Sequence, residues 1–228
     1  MYDDKYLLPN GETIGHMRKD NMDWWTTKGA QSEKPEKRLQ YYNKFLGNIE
    51  RNVPDFDIDN YKGKIVGEAC GGPFGGIIDI HYEEEEKYQI DIFADDFEKL
   101  GWTKKNGSTT KWIASPCEKI NLPDNHLDVM FAFNSLDHGW DVFESIKECV
   151  RVSKHCYISF DTNRYKVPGY PDLNHYQIVD HEKVTKFLDD NYSSDDFDMK
   201  RWHWTIDVPG NDGLKHSINV IEFFIGKK

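Results

Sequence analysis

The chain has 228 residues, 38% of them hydrophobic and 14% aromatic, a formal charge of −11 and four cysteines. That is enough apolar material for one sizeable core and too little for two, and the acidic balance argues against a nucleic-acid surface, which needs clustered Lys and Arg. No apolar run nears the ~20 residues of a membrane span, and Met1-Tyr2-Asp3-Asp4-Lys5 lacks the regions of a secretory signal, so the expectation is a soluble, cytoplasmic protein.

Residues 1–60 read as an N-terminal arm with a covering helix, and residues 61–228 as the α/β core of one domain. Trp24-Trp25 and the residues after them are aromatic but aperiodic; they could form a flap over a ligand, and the preferred reading is a packed arm. Between Pro35 and Arg51, Leu39, Tyr42, Leu46 and Ile49 recur at helical spacing, with Pro in the first turn. The run Lys64-Ile65-Val66-Gly67-Glu68 is then an apolar strand ending in an acid, and it enters the turn Ala69-Cys70-Gly71-Gly72-Pro73-Phe74-Gly75-Gly76. Glycines in such a turn permit positive φ and close backbone approach to a nucleotide. Here Cys70 stands where the first glycine would be; it is expected to keep a negative φ, with Gly71 in the tight position.

A second apolar run, Tyr88 to Phe93, contains Asp91, placed about 20 residues past the turn like a ribose-binding acid. The pair of features suggests a bound adenosine. A short helix from Asp96 to Leu100 and a third strand from Thr109 to Ala114 lead into Ser115-Pro116-Cys117-Glu118. Val129-Met130-Phe131-Ala132-Phe133 is apolar on both faces, as in a central parallel strand. Asp141 precedes Glu144 in a capping arrangement, Cys156 to Phe160 is a fifth strand, and Asp180 caps a further helix. Two final strands, Met199 to Asp207 and Ser217 to Ile225, flank Pro209-Gly210-Asn211-Asp212-Gly213 as an antiparallel pair. The expected fold is a Rossmann-like, doubly wound seven-stranded sheet, mostly parallel with the last strand antiparallel, plus the N-terminal helical arm. No metal site is expected: the cysteines lack Cys-x-x-Cys spacing, and Glu83 to Glu86 reads as a solvated run.

Glu68, Asp91, Cys117-Glu118 and Asn134 to His138 all follow the carboxyl ends of predicted strands, where ligands bind in open α/β sheets. In order, Cys117-Glu118-Lys119-Ile120-Asn121-Leu122-Pro123-Asp124-Asn125-His126-Leu127-Asp128-Val129, Asn134-Ser135-Leu136-Asp137-His138 and Glu148-Cys149-Val150-Arg151-Val152 resemble the "A-E-x-L-P-F-x-D-x-x-F-D-x-V", "L-x-H" and "E-x-x-R-V-L" blocks of the class I, type 11-like S-adenosylmethionine-dependent methyltransferases. The resemblance spans roughly residues 61–228. It implies S-adenosylmethionine as cofactor and S-adenosylhomocysteine as product, and a small or medium-sized acceptor; it is the acidic charge that makes nucleic acid an unlikely partner. It also implies that Glu68 and the backbone of Ala69, Cys70, Gly71 and Gly72 face methionine, that Asp91 takes the ribose with Ile92 beside it among the cofactor-binding residues, that Cys117 and Glu118 lie beside adenine, and that Asn134 and Ser135 lie near the methionine and sulfonium. Cys70 and Pro116 depart from the family pattern.

His138 is the first candidate for a proton acceptor, since an ordinary histidine titrates near neutrality; its alternative role is to cap or orient the loop. His175, in the connection 161–179, is the second and Asp137 the third. A histidine base slightly favours O-methylation over N-methylation. Three other readings stay open: a nicotinamide-dependent oxidoreductase, because Cys70-x-Gly72-x-x-Gly75 followed by Asp91 nearly meets that fingerprint; a catalytically silent S-adenosylmethionine-binding module; and a macromolecular acceptor, RNA or protein, with the acidic charge weighing against RNA.

Overall fold

The computed structural model describes residues 4, 5, 7, 11, 13–27, 35–73, 76–82, 85–103, 109–168, 177–210 and 212–228. Strands β1 (Ile65–Ala69), β2 (Glu86–Ile90), β3 (Lys111–Ile113), β4 (Leu127–Phe133), β5 (Ser153–Thr162), β6 (Phe197–Pro209) and β7 (Lys215–Lys227) form one sheet in the order β3-β2-β1-β4-β5-β7-β6. The pairs from β3 through β5 are parallel, and β7 runs antiparallel to both β5 and β6. The expected mostly parallel sheet with an antiparallel last strand is therefore present. The chain builds outward from β1 to β3, then returns to place β4 on the other side of β1. That reversal opens a crevice at the carboxyl ends of β1 and β4.

Helices cover both faces. On one side α2 (Pro35–Asn52) and α3 (Ile77–His81) pack on Val66, Val129, Phe131 and Tyr157; on the other α5 (Val142–Val152) and α6 (His181–Tyr192) pack on Ile90, Met130, Ala132 and Ile158. With both faces covered, β4 cannot alternate in polarity: Leu127, Val129, Met130, Phe131 and Ala132 are all fully buried. Asp141 starts α5 by accepting from the amides of Phe143 (3.0 Å) and Glu144 (3.1 Å), and Asp180 starts α6 by accepting from Lys183 N at 3.0 Å. Glu148 and Arg151 tie α5 to the loop before β4. Arg151 pairs with Glu148 at 2.7 Å and donates to the carbonyls of Ile120 and Leu122, while Ile120 N donates to Glu148 Oε2 at 2.8 Å.

The arm is helical and packed, though its sequence shows no period. Residues Ile14–Thr27 form a helix, α1, whose Ile14 and Met17 pack with Phe93 and Phe97 of the segment that includes α4 (Ala94–Lys99). Arg18 anchors it, pairing with Asp96 at 2.9 Å and lying over the Phe93 ring. Its apolar stripe is too sparse to register as a period, so docking rather than amphipathicity defines the helix. The short α3 was also not expected, because a glycine-rich entry and only five residues leave no repeat to read. Among the described residues no helix is long and apolar enough to cross a membrane.

Candidate functional site

The turn after β1 is tighter than its sequence suggested. Cys70, not Gly71, takes positive φ (55°), followed by Gly72 at 76°. The reason is the ladder: Cys70 N still donates to Ile90 O at 2.8 Å, so the chain turns at Cys70 itself. The expected negative φ is overturned, and a non-glycine residue occupies a left-handed position that costs about 1–2 kcal/mol. The Trp25 ring of α1 lies against Gly72, filling the space a β-carbon there would need. Gly75 lies outside the described residues.

Glu68, 1% exposed, turns its carboxylate to the start of α3, accepting from Ile78 N at 3.3 Å, and it is hydrogen-bonded by Tyr42. Burial pushes its pKa up to about 8, against the pull of those bonds. Beside it in register, fully buried Gln89 has no hydrogen-bond partner at either amide atom among the described residues.

Asp91 stands just past the end of β2. Its Oδ1 accepts from Phe93 N at 2.8 Å; among the described residues Oδ2 has no partner. Burial raises its pKa to about 7. Ile92 packs against the α1 cluster. From the loop after β3, Cys117 brings Sγ to 2.9 Å from Cys70 Sγ. Glu118 Oε1 accepts from Trp140 N (2.7 Å) and Asp141 N (3.1 Å), so its carboxylate holds the entry to α5. After β4, Asn134 adopts φ 52°, which asparagine tolerates, and Ser135, 2% exposed, leaves Oγ without a hydrogen-bond partner among the described residues. His138 ends a one-turn 3-10 segment, Leu136–His138, and is half-buried. Gln177 fastens this loop, donating to Leu136 O (3.0 Å) and Gly139 O (3.1 Å) and accepting from Val142 N (2.7 Å). His175 lies outside the described residues.

Four segments thus meet at one crevice, along with groups the sequence did not flag. Tyr41 of α2 is 42% exposed overall, yet its hydroxyl bonds Asn134; desolvation of that end and the charges of Asp161 and Asp137 raise its pKa. Helical spacing had assigned Tyr42 to the core, and nothing in that spacing could place its neighbour at the mouth of a site. Gln89 and Gln177 carry no motif at all.

The raised acids predict a pH profile. Glu68 and Asp91 titrate higher folded (about 8 and about 7) than their ordinary values of 4.5 and 3.8, so the folded chain binds more protons in that window. Their contribution to stability is complete below about pH 4 and lost as pH rises through about 7 and 8, with a slope of up to about 1.4 kcal/mol per unit for each group. Melting temperatures of the ligand-free protein are expected to rise from pH 8.5 to 5.5, and Glu68→Gln should flatten the upper part; an unchanged slope in that variant would contradict the assignment.

Residues 77–156 match the family described as "Methyltransferase domain". No curated protein matches the sequence. Among solved structures, the chain is similar to a candidate methyltransferase from Haloferax volcanii crystallised with a methyltransferase activator (TM-score 0.57, 9% identity, 90% of this chain and 97% of that one). It is also similar to an S-adenosylmethionine-dependent methyltransferase from Thermotoga maritima (0.51, 12%, 85% and 98%) and to the YcgJ protein of Bacillus subtilis (0.51, 12%, 73% and 94%). At such identities these likenesses speak for the fold alone; the methyltransferase-domain match lies in the central segment, residues 77–156, and the fold around it is consistent with class I, type 11-like S-adenosylmethionine-dependent methyltransferases.

Proposed function

We propose that this protein is a single-domain, cytoplasmic enzyme that methylates a small or medium-sized acceptor in the crevice above β1, β2 and β4. The observation that carries the site is Asp91: a carboxylate at the end of β2 with one oxygen fixed by Phe93 N and the other without a partner among the described residues. The chain fits S-adenosylmethionine. Asp91 can accept from both ribose hydroxyls, the left-handed turn at Cys70 turns backbone into the crevice beside the Trp25 ring that lies on Gly72, and Ser135 Oγ, without a partner among the described residues, supplies a polar group beside Asn134. Cys117 flanks the adenine position, and Glu68, bonded to Ile78 N, and Glu118, bonded to Trp140 N and Asp141 N, hold the walls in shape.

When bound, the cofactor supplies a methyl group already activated by its sulfonium. What remains for the chain is to place the acceptor in line at roughly 3 Å and to take up its proton if it arrives protonated. Tyr41 bonds Asn134 of the loop after β4, and His138 is the proton acceptor we assign, which favours a hydroxyl acceptor. A second reading, an amine acceptor, draws support from the buried carboxylate of Asp137 (2% exposed), whose charge reaches the Tyr41 hydroxyl; Asp161 beside it is already paired with Arg164 at 2.8 Å. Four free thiols fit a reducing cytoplasm.

Labelled methyl transfer to a panel of small alcohols, phenols and amines tests this. Turnover with at least one class is expected, reduced about tenfold in Tyr41→Phe, the scale of one lost hydrogen bond. Cofactor binding with no transfer to any acceptor would favour the silent binding module instead.

A further inference from the structure

All four cysteines are free thiols, and two of them, 47 residues apart in sequence, meet inside the crevice with their sulfurs 2.9 Å apart. A disulfide holds its sulfurs at about 2.05 Å, so side-chain rotation and a slight approach of two loops would complete the bond. The pair has an open member and a closed one. Cys70 is half-buried on the turn after β1, whereas Cys117 is 4% exposed and packs with Cys149 and Cys156 in the core on the α5 side.

We propose that Cys70 and Cys117 are a redox-modified thiol pair whose disulfide staples the turn after β1 to the loop after β3 and closes the cofactor crevice. With hydrogen peroxide as oxidant, the Cys70 sulfur attacks the O–O bond, gaining one oxygen to become a sulfenic acid while the other oxygen leaves as water. Cys117 then attacks the Cys70 sulfur; the S–O bond breaks, the S–S bond forms, and the departing hydroxide takes up the Cys117 proton as a second water. Two thiols and one peroxide give one disulfide and two waters. The hydrogen bond between the thiols and their burial keep Cys70 protonated, so the reaction is slow at neutral pH and quickens as pH rises. Closure follows from position. The two stapled segments flank Asp91, the third corner of the crevice, and drawing them together narrows the gap in which an adenosine on Asp91 would lie. This second half of the proposal rests on the cofactor reading given above; the cross-link itself does not.

The test treats the full chain with excess hydrogen peroxide, blocks remaining thiols by alkylation, maps cross-linked peptides by mass spectrometry, and measures S-adenosylhomocysteine binding by calorimetry before and after. A Cys70–Cys117 peptide about 2 Da lighter than its two reduced parts is expected, with at least tenfold weaker binding that dithiothreitol restores. Cys117→Ser, and Cys70→Gly, which suits the left-handed backbone, should each bind equally before and after peroxide. A Cys149–Cys156 cross-link, or oxidation to sulfinic and sulfonic acids without any cross-link, would overturn the pair. A mapped Cys70–Cys117 bond with unchanged binding would overturn closure. Failure of the reduced wild type to bind would strike the cofactor reading, and closure with it, while the peptide map still decides the thiol pair.

Discussion

Asp91→Ala is expected to weaken S-adenosylhomocysteine binding at least 100-fold while leaving the ligand-free protein folded. Two hydrogen bonds to an ionised carboxylate contribute about 1.5–3 kcal/mol each, so losing both spans a factor of 100 or more in affinity. The variant separates a binding role from a structural one. In the free protein the carboxylate is buried and its pKa is raised to about 7, so removing it relieves a desolvation penalty and costs only the bond from Phe93 N. The melting temperature should move by no more than a few degrees. Ribose hydroxyls donate to the ionised acid, so binding draws Asp91 toward its charged form: affinity should fall about tenfold per unit below pH 7, and calorimetry near pH 6.5 in buffers of different ionisation enthalpy should register a released proton. Equal binding by wild type and Asp91→Ala would remove the basis of the site.

Gly76→Ala should destabilise the fold by about 3 kcal/mol, the upper range for overpacking, lowering the melting temperature by roughly 6–12 °C for a chain of this size. Backbone strain is not the cause, since Gly76 has φ −106°. Its missing side chain leaves the volume that the Glu68 carboxylate occupies: a β-carbon at 76 would fall on both carboxylate oxygens. Glu68 is held there by Ile78 N and Tyr42, so it cannot swing away without leaving buried polar groups unpaired. Truncating Glu68 in the same chain should restore more than half of the loss, and a double-mutant cycle read by denaturant unfolding should give a coupling of about 1–3 kcal/mol. Additive effects would show that Gly76 is needed for some other reason.

Much of this was legible in the residues because local rules and tertiary demands agree. The apolar core of β4 could only be a strand covered on both faces; Asp141 and Asp180 could cap because each stands just before a helical stripe; and the turn at residues 209–213 is too short to join anything but antiparallel strands. The glycine turn and Asp91 stood out for a similar reason, since a nucleotide crevice places an acid and a backbone turn at fixed intervals of chain. Glu148 and Arg151 belonged to a recognisable block whose physical duty, pinning the loop before β4, emerges only from their bonds to Ile120 and Leu122.

By itself, then, the amino-acid order determined the succession of strands and helices, the sheet they make and the edge at which a ligand would lie, because periodicity and turn chemistry are properties of neighbours along the chain. Tertiary structure decided what distant neighbours do to one another. It turned Cys70 left-handed by extending the ladder to Ile90, gave the Glu68 carboxylate to α3, set Tyr41 against Asn134, laid Trp25 on Gly72 and brought two thiols together across 47 residues. No local pattern encodes such meetings; they are fixed by packing, which joins residues according to the space left between layers rather than their separation in sequence.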